Sequence, residues 1–85
     1  MQQEQIYAAL TAIARDVFDD DALVLTPELS AKDVPEWDSF NHINLIVAVE
    51  QKFGIKFQTA ELESMQNVGH LVALIEQKLI AKQNG

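Results

Sequence analysis

Cysteine is absent from the sequence, and glycine and proline are scarce, with three and two among 85 residues. The absence of cysteine excludes disulfides and thiolate metal sites. No apolar run exceeds the five residues of 45–49, far short of the about 20 that a membrane-spanning helix needs. Residues 1–5 contain no basic group of the kind that begins a secretion signal. We therefore expect a cytoplasmic protein that does not engage a membrane.

Basic residues are also few. Six Lys and Arg stand against 13 Asp and Glu, so the net charge is −7. All of this excess lies in residues 1–38, which hold nine acids and two bases, whereas residues 39–85 hold four of each. An acidic surface repels phosphate backbones, so we expect no nucleic-acid partner. The acidic half favours basic partner surfaces, but it equally serves solubility, and charge alone does not choose between these roles.

The spacing of apolar residues predicts four helices. Apolar side chains recur every three or four residues over 3–18, which indicates an amphipathic first helix. A second helix is predicted over 39–53, with Gly54 as a suitable stop. Thr59 is predicted to cap a short third helix reaching Met65, and Asn67 to cap a fourth that ends near Ala81.

A long loop over residues 19–38 separates the first two helices. Pro27 predicts the first turn of a short helix within it. No strand pattern competes, so the sequence predicts an all-α fold, a small bundle of three main helices with one short helix and a long first loop. The length and the 48% hydrophobic content indicate one globular domain over residues 1–85.

The second helix has two apolar faces. One is a predicted core stripe of five residues, His42, Leu45, Ile46, Val49 and Phe53. The opposite face carries Phe40, Ile43 and Val47. A bundle this small cannot easily bury both faces, so the second stripe is expected to face solvent or a partner, unless the long loop folds over it.

Asp38, Ser39 and His42 invite comparison with a serine hydrolase, but their spacing argues against one. The nucleophile elbow places glycines two residues on either side of the serine, and Trp37 and Asn41 stand there. A base, an orienting group and an oxyanion hole are also needed. We therefore expect no independent hydrolase, and we expect His42 to be a partly buried packing residue.

The run of aspartates at residues 19–21 does not predict a calcium site. A calcium loop that begins at Asp19 needs an acid or Asn at its fifth position, Gly at its sixth and Glu at its twelfth. The sequence has Leu23, Val24 and Ser30 instead. The histidines and carboxylates show no other metal-ligand spacing, so we expect no metal.

Ser39 itself has two possible roles. It could cap the second helix by accepting a hydrogen bond from an amide of the first turn. It could also be a modification site, because a helix N-terminus favours an attached phosphate and the second apolar stripe lies beside it. The local sequence does not decide between them.

Three motifs in register carry a resemblance to a known family. They are Asp38-Ser39-Phe40, the link Phe53-Gly54-Ile55, and Asn67-Val68-Gly69 at the start of the last helix. With these, nearly the whole chain resembles an acyl carrier protein, which implies a single acyl carrier domain with a four-helix bundle. The resemblance implies that the chain is a phosphoprotein in which Ser39, supported by Asp38, carries a covalent 4′-phosphopantetheine. The terminal thiol of that group would hold acyl or aminoacyl groups as thioesters. It also implies a monomeric carrier, not an enzyme.

The resemblance further implies the partners and where they bind. A phosphopantetheinyl transferase would attach the group, an acyl-loading ligase or transferase would charge it, and downstream biosynthetic enzymes would use it. The implied partner-binding residues are Phe40, Ile43, Asn44, Val47 and Glu50. The family commonly has carboxylates where this helix has Asn44, Gln51 and Lys52, which disfavours housekeeping fatty-acid synthesis. We expect fatty acid or polyketide biosynthesis in a specialised pathway, such as one of secondary metabolism. The alternative is an unmodified helical adaptor that uses the same helix as a docking surface.

Overall fold

A computed structural model of the protein describes residues 2–84, with side chains through Lys82. Four α-helices follow in order: α1 over Gln3–Val17, α2 over Ser39–Phe53, α3 over Thr59–Glu63 and α4 over Val68–Asn84. Within this described part no residue forms a strand, and the prediction of an all-α bundle of three main helices and one short helix is confirmed. None of these helices is long and apolar enough to cross a membrane.

The core forms where α1 packs against both α2 and α4. Its centre consists of side chains at most 1% exposed, including Ile6, Leu10, Val49, Leu71 and Ile75. Burial of each such side chain contributes about 1.5–3 kcal/mol. The core stripe predicted for α2 is confirmed, because its four apolar members are buried and His42 is partly buried.

Hydrogen bonds at the helix ends confirm one predicted cap and contradict another. Asn67 caps α4 as predicted, since its Oδ1 accepts the His70 N–H at 2.9 Å. The prediction that Thr59 caps α3 is wrong. Gln58 is the cap, and its N–H donates to Glu61 Oε1 at 2.7 Å in a reciprocal capping box. α4 also continues beyond Ala81, because no helix breaker stands between Ala81 and Asn84.

The first part of the long loop is held against α1 and α4 by hydrogen bonds. Arg15 Nε donates to the Leu23 carbonyl at 2.8 Å, and the N–H groups of Val68 and Gly69 donate to the Leu29 and Pro27 carbonyls at 2.9 and 3.0 Å. The prediction of a short helix at Pro27 is wrong. Its segment makes a turn, and the helical piece is a 3₁₀ turn over Ala31–Asp33. It begins there because Ser30 and Asp33 form a capping box.

Candidate functional site

Ser39 is the first residue of α2 and lies exposed at the surface. The residue before it, Asp38, is the helix cap. It has extended backbone, and its carboxylate accepts the N–H of Asn41 at 2.8 Å. The interpretation of Ser39 as the cap is therefore wrong. Because Asp38 fills that role, Ser39 presents its hydroxyl at a helix N-terminus, where the helix dipole favours negative charge.

A groove of about 560 Å³ opens beside Ser39. It is lined by six residues, Ala31, Trp37, Asp38, Ser39, His42 and Ile43. The 3₁₀ turn thus faces the start of α2 across this groove. The groove is large enough to receive a flexible group attached to the serine.

Trp37 and His42 form one side of the groove. The indole N–H of Trp37 donates to Nδ1 of His42 at 3.0 Å, and the two rings stack with centroids 6.2 Å apart. Trp37 also packs on Phe18, with ring centroids 5.7 Å apart. Burial lowers the pKa of His42 below its ordinary value of 6.5. The expectation that His42 is a partly buried packing residue is confirmed, whereas its hydrogen bond with Trp37 was not predicted.

The Trp37 hydrogen bond also shows why His42 is a poor catalytic base. In a serine triad the imidazole donates Nδ1–H to a carboxylate, which leaves Nε2 free to take the serine proton. Here Nδ1 of His42 is an acceptor, so the neutral ring carries its proton on Nε2. The other histidine, His70, accepts the Gln66 N–H on its Nδ1 at 3.1 Å. This hydrogen bonding argues against a Ser39–His42 catalytic pair.

The second apolar stripe of α2 is exposed. Phe40, Ile43 and Val47 are 73%, 63% and 45% exposed, so the long loop does not fold over them. Asn44 lies on the same surface, with Nδ2 3.5 Å from Asn41 Oδ1. The predicted exposure of the stripe is confirmed, while the partner-binding role of these residues stays a prediction.

Glu50, the fifth predicted partner-binding residue, has a contact within the protein. Its carboxylate accepts the Phe57 N–H at 2.8 Å and is half-buried. The sequence did not predict this contact, because the contact depends on the left-handed turn at Gly54 that brings residue 57 back alongside α2. Its predicted docking role therefore has to be separated from its structural one.

Helix α2 itself carries little charge. α2 contains one acid, Glu50, and one base, Lys52. A group of three or more side chains able to hold a metal ion is not found in the described part of the chain. The ion pair of Lys78 with Glu61, at 2.9 Å, joins α4 to α3. The exposed face of α2 that follows Ser39 is thus mainly apolar.

Comparison with known proteins identifies relatives along most of the chain. No protein-family model matches it. The chain is 34% identical to the meromycolate extension acyl carrier protein of Mycolicibacterium smegmatis, over 87% of this chain and 75% of that protein. It covers 64% of the longer protein of the same name from Mycobacterium tuberculosis. It is 31% identical to the acyl carrier protein of Thermotoga maritima, over 91% of this chain and 95% of that one.

One solved structure matches this chain in both fold and sequence. The chain resembles the solution structure of a holo acyl carrier protein from Geobacter metallireducens, with a TM-score of 0.87 and 50% sequence identity. The match covers 92% of this chain and 90% of that one.

Proposed function

Because the chain belongs to the acyl carrier protein family, whose members are carriers and not enzymes, we propose that Ser39 anchors its 4′-phosphopantetheine group. The observation that carries this proposal is the exposed hydroxyl of Ser39 at the start of α2, beside an open groove. The Geobacter metallireducens protein is a holo form with 50% identity, which supports the presence of a prosthetic group here.

The residues around Ser39 suit such a group. A phosphodiester on Ser39 would lie at the N-terminus of α2, where the helix dipole stabilises an anion. Asp38 holds the first turn of the helix in place through its bond to Asn41, which supports a structural role for it beside the anchor. When bound, the group supplies a terminal thiol that holds acyl groups as thioesters.

Attachment requires little from the chain except an accessible nucleophile. Ser39 Oγ would form the new bond to the pantetheine-bearing phosphorus of coenzyme A as the pyrophosphate bond breaks. The adenosine 3′,5′-bisphosphate leaves, and the serine proton passes to a base of the transferase. His42 is not suited to be that base. Its Nδ1 accepts the indole N–H of Trp37, so its other ring nitrogen carries the proton.

The exposed stripe of α2 is the proposed docking surface for partner enzymes, formed by Phe40, Ile43, Asn44, Val47 and Glu50. Its apolar members are exposed and follow Ser39 along the first turns of α2, so an enzyme that binds them reaches the attachment site. Apolar contact of this kind drives association through buried area, with polar contacts at the rim giving specificity. The transferase, the loading ligase or transferase and the downstream enzymes would share this surface.

The near-neutral α2 supports a specialised pathway. With one acid and one base on the helix, long-range attraction to a strongly basic partner surface is weak. The Mycolicibacterium smegmatis relative is named for one particular pathway, meromycolate extension. We place this carrier in a dedicated acyl or aminoacyl pathway with partners of its own.

Intact mass spectrometry after incubation with coenzyme A and a broad-specificity phosphopantetheinyl transferase tests the proposal. We expect a mass gain of one phosphopantetheine group. Ser39→Ala should abolish the gain, whereas Ser64→Ala, which removes another exposed serine, should retain it. A gain that survives Ser39→Ala would exclude Ser39 as the anchor.

The unmodified-adaptor alternative makes a different prediction in cells. An adaptor needs only the docking surface, so Ser39→Ala would leave its activity intact. A carrier that depends on Ser39 loses its activity with the same substitution, although its fold and its partner binding remain.

A further inference from the structure

A cleft of about 330 Å³ lies where the end of α2 meets the last turns of α4. It is lined by Gly54, Ile55, Lys56, Lys78, Ala81 and Lys82. We call it the basic cleft, because three of its six lining residues are lysines and none is acidic. The chain as a whole has a net charge of −7, so this concentration of positive charge is a local feature.

One of the lysines is held against the end of α2. Lys82 Nζ donates to the Phe53 carbonyl at 3.4 Å, and a Cβ atom at Gly54 would come within 2.6 Å of the same nitrogen. The glycine thus lets the ammonium group lie directly at the C-terminus of α2, where the helix dipole favours a cation. Lys82 is nevertheless exposed, so its other N–H groups can donate to a ligand.

The protein neutralises only part of the positive charge in the basic cleft. Lys78 pairs with Glu61 at 2.9 Å. Among residues 2–82, whose side chains the structure describes, no carboxylate pairs with Lys56 or Lys82. Like charges that line one cleft repel each other, and an anion that enters the cleft relieves this repulsion. The basic cleft is therefore suited to an anionic ligand.

The surroundings of the basic cleft favour separate carboxylates over a phosphate group. Its backbone comes from the C-terminal ends of α2 and α4, which carry partial negative charge, so a compact dianion would be repelled by them. Lysine is a point charge on a flexible stem, and each lysine can meet a carboxylate of its own. A long nucleic-acid backbone is disfavoured by the net charge of the chain. These features together fit a short acidic peptide.

The basic cleft and Ser39 lie at opposite ends of α2. Ser39 and Phe53 are the first and last residues of that helix, so about 21 Å separates them at a rise of 1.5 Å per residue. The cleft also shares no lining residue with the groove beside Ser39. A ligand in the basic cleft therefore leaves Ser39 accessible.

We propose that the basic cleft binds an acidic peptide segment of a partner protein. A partner held there keeps the carrier close while Ser39 stays free, which raises the effective concentration of the carrier at that partner. This binding surface goes beyond the proposed role of Ser39 and does not depend on it.

Two-dimensional NMR of the isotope-labelled, unmodified full chain tests this site. Hexaglutamate is titrated at low salt, and a hexapeptide of serine and glycine serves as the neutral probe. We expect the amide signals of Gly54, Ile55 and Lys56 to shift saturably with hexaglutamate and not with the neutral peptide. Raising the NaCl concentration from about 20 to about 200 mM should weaken the affinity several-fold, because salt screens exposed charges.

Substitutions of Lys56 show whether the cleft itself binds the peptide. Lys56 is exposed, so Lys56→Gln should fold normally and bind hexaglutamate several-fold more weakly, while Lys56→Arg keeps the charge and should retain binding. Lys32→Gln is the matched control, because it removes the same charge from an exposed position outside the cleft. It should bind like the wild type. Equal weakening by Lys56→Gln and Lys32→Gln would overturn the inference.

Inorganic phosphate is the competing probe. Larger shifts at the same amides with phosphate, at equal total charge, would show a phosphate site and overturn the choice of an acidic peptide. Absence of saturable shifts with hexaglutamate would remove the site altogether.

Loading of Ser39 by the transferase, with and without hexaglutamate, tests the separation of the cleft from Ser39. The peptide should affect the wild type and Lys56→Gln alike. A slowing confined to the wild type would show that a ligand in the cleft obstructs Ser39, against the inference. Failure to load Ser39 at all would remove the proposed function, whereas the NMR titration, which uses the unmodified chain, would still decide the peptide site.

Discussion

The carboxylate of Glu50 accepts the backbone N–H of Phe57 at 2.8 Å and so ties the proposed docking helix to the segment that leads to α3. Residue 57 reaches this position because the chain reverses at Gly54, whose φ is +66°. A side chain predicted to meet partners is thus also part of the internal structure. Binding data on Glu50 variants therefore have to be read together with their stability.

Substitution of Glu50 by Ala should destabilise the protein by about 1–2 kcal/mol, because the half-buried Phe57 N–H loses a charged acceptor. Gln51→Ala, at the exposed neighbouring position, should change stability by less than about 0.5 kcal/mol. Urea unfolding followed by circular dichroism measures both. Equal effects of the two substitutions would contradict a structural role for Glu50.

Glu50→Gln separates the structural role from the docking role. Gln keeps an oxygen acceptor for Phe57 and removes the charge, so stability should fall less than in Glu50→Ala. A lower affinity for the transferase in this stable variant would then report the charge itself. Unchanged affinity would remove Glu50 from the docking surface.

Asp38 should prove to be a cap that supports Ser39. Loss of a cap costs about 0.5–2 kcal/mol, so Asp38→Ala should lower the free energy of unfolding by about 1 kcal/mol. Asp38→Asn keeps an oxygen near the Asn41 N–H and should remain close to wild-type stability. The loading rates of both variants, measured by mass spectrometry, show whether the transferase also needs the charge of Asp38. If it does, Asp38→Asn should load slowly although it remains folded.

The sequence predicted the elements governed by local periodicity. Helix α2 was predicted over the residues it occupies, because its apolar stripe, its polar start and Gly54 all act within a few residues. The exposure of Phe40 and Ile43 also followed from the 100° geometry of one helix. Ser39 as a modification site needed the family resemblance in addition, since local physics allowed a cap equally well.

The features that were missed depend on contacts between distant or irregular segments. The Trp37–His42 hydrogen bond requires the loop to enter α2 in extended backbone at Asp38. The Glu50–Phe57 bond requires the turn at Gly54. Thr59 was chosen as a cap from residue preference, but the capping box formed by Gln58 and Glu61 satisfies two amides at once and prevails. Periodicity contains no information about such side-chain pairings.

Acidification should weaken the fold through His42. Its pKa is lowered by burial in the folded protein, whereas in the unfolded chain it returns to about 6.5. The unfolded state therefore binds more protons as the pH falls below about 6.5, and stability declines until the lowered folded pKa is passed. A protonated Nδ1 also cannot accept from Trp37.

Urea unfolding at about pH 7.5 and about pH 5.5 checks this prediction, because this range spans the ordinary histidine pKa. The wild type should lose more stability between these values than His42→Gln, which has no proton to gain at position 42. His70 and the carboxylates are present in both proteins, so their contribution cancels in the difference. An equal loss in the two proteins would contradict a lowered His42 pKa.

Ile43 should affect partner binding without affecting folding. It is 63% exposed, so Ile43→Ala should change stability by less than about 0.5 kcal/mol. If the transferase buries this side chain, the loss of its apolar area should raise the KM for the carrier several-fold and leave kcat nearly unchanged, because a contact made equally in the bound complex and in the transition state affects binding alone. The measurement is the rate of loading against carrier concentration.

Val24→Ala is the matched control for that effect. Val24 is an apolar residue with similar exposure, 66%, but it lies in the long loop and not on α2. Substitution of Val24 by Ala removes a comparable exposed apolar area. A general effect of surface hydrophobicity would therefore raise the KM equally in Val24→Ala and Ile43→Ala. A selective effect of Ile43→Ala would place the docking contact on the stripe beside Ser39, whereas equal effects would remove the stripe as a specific surface.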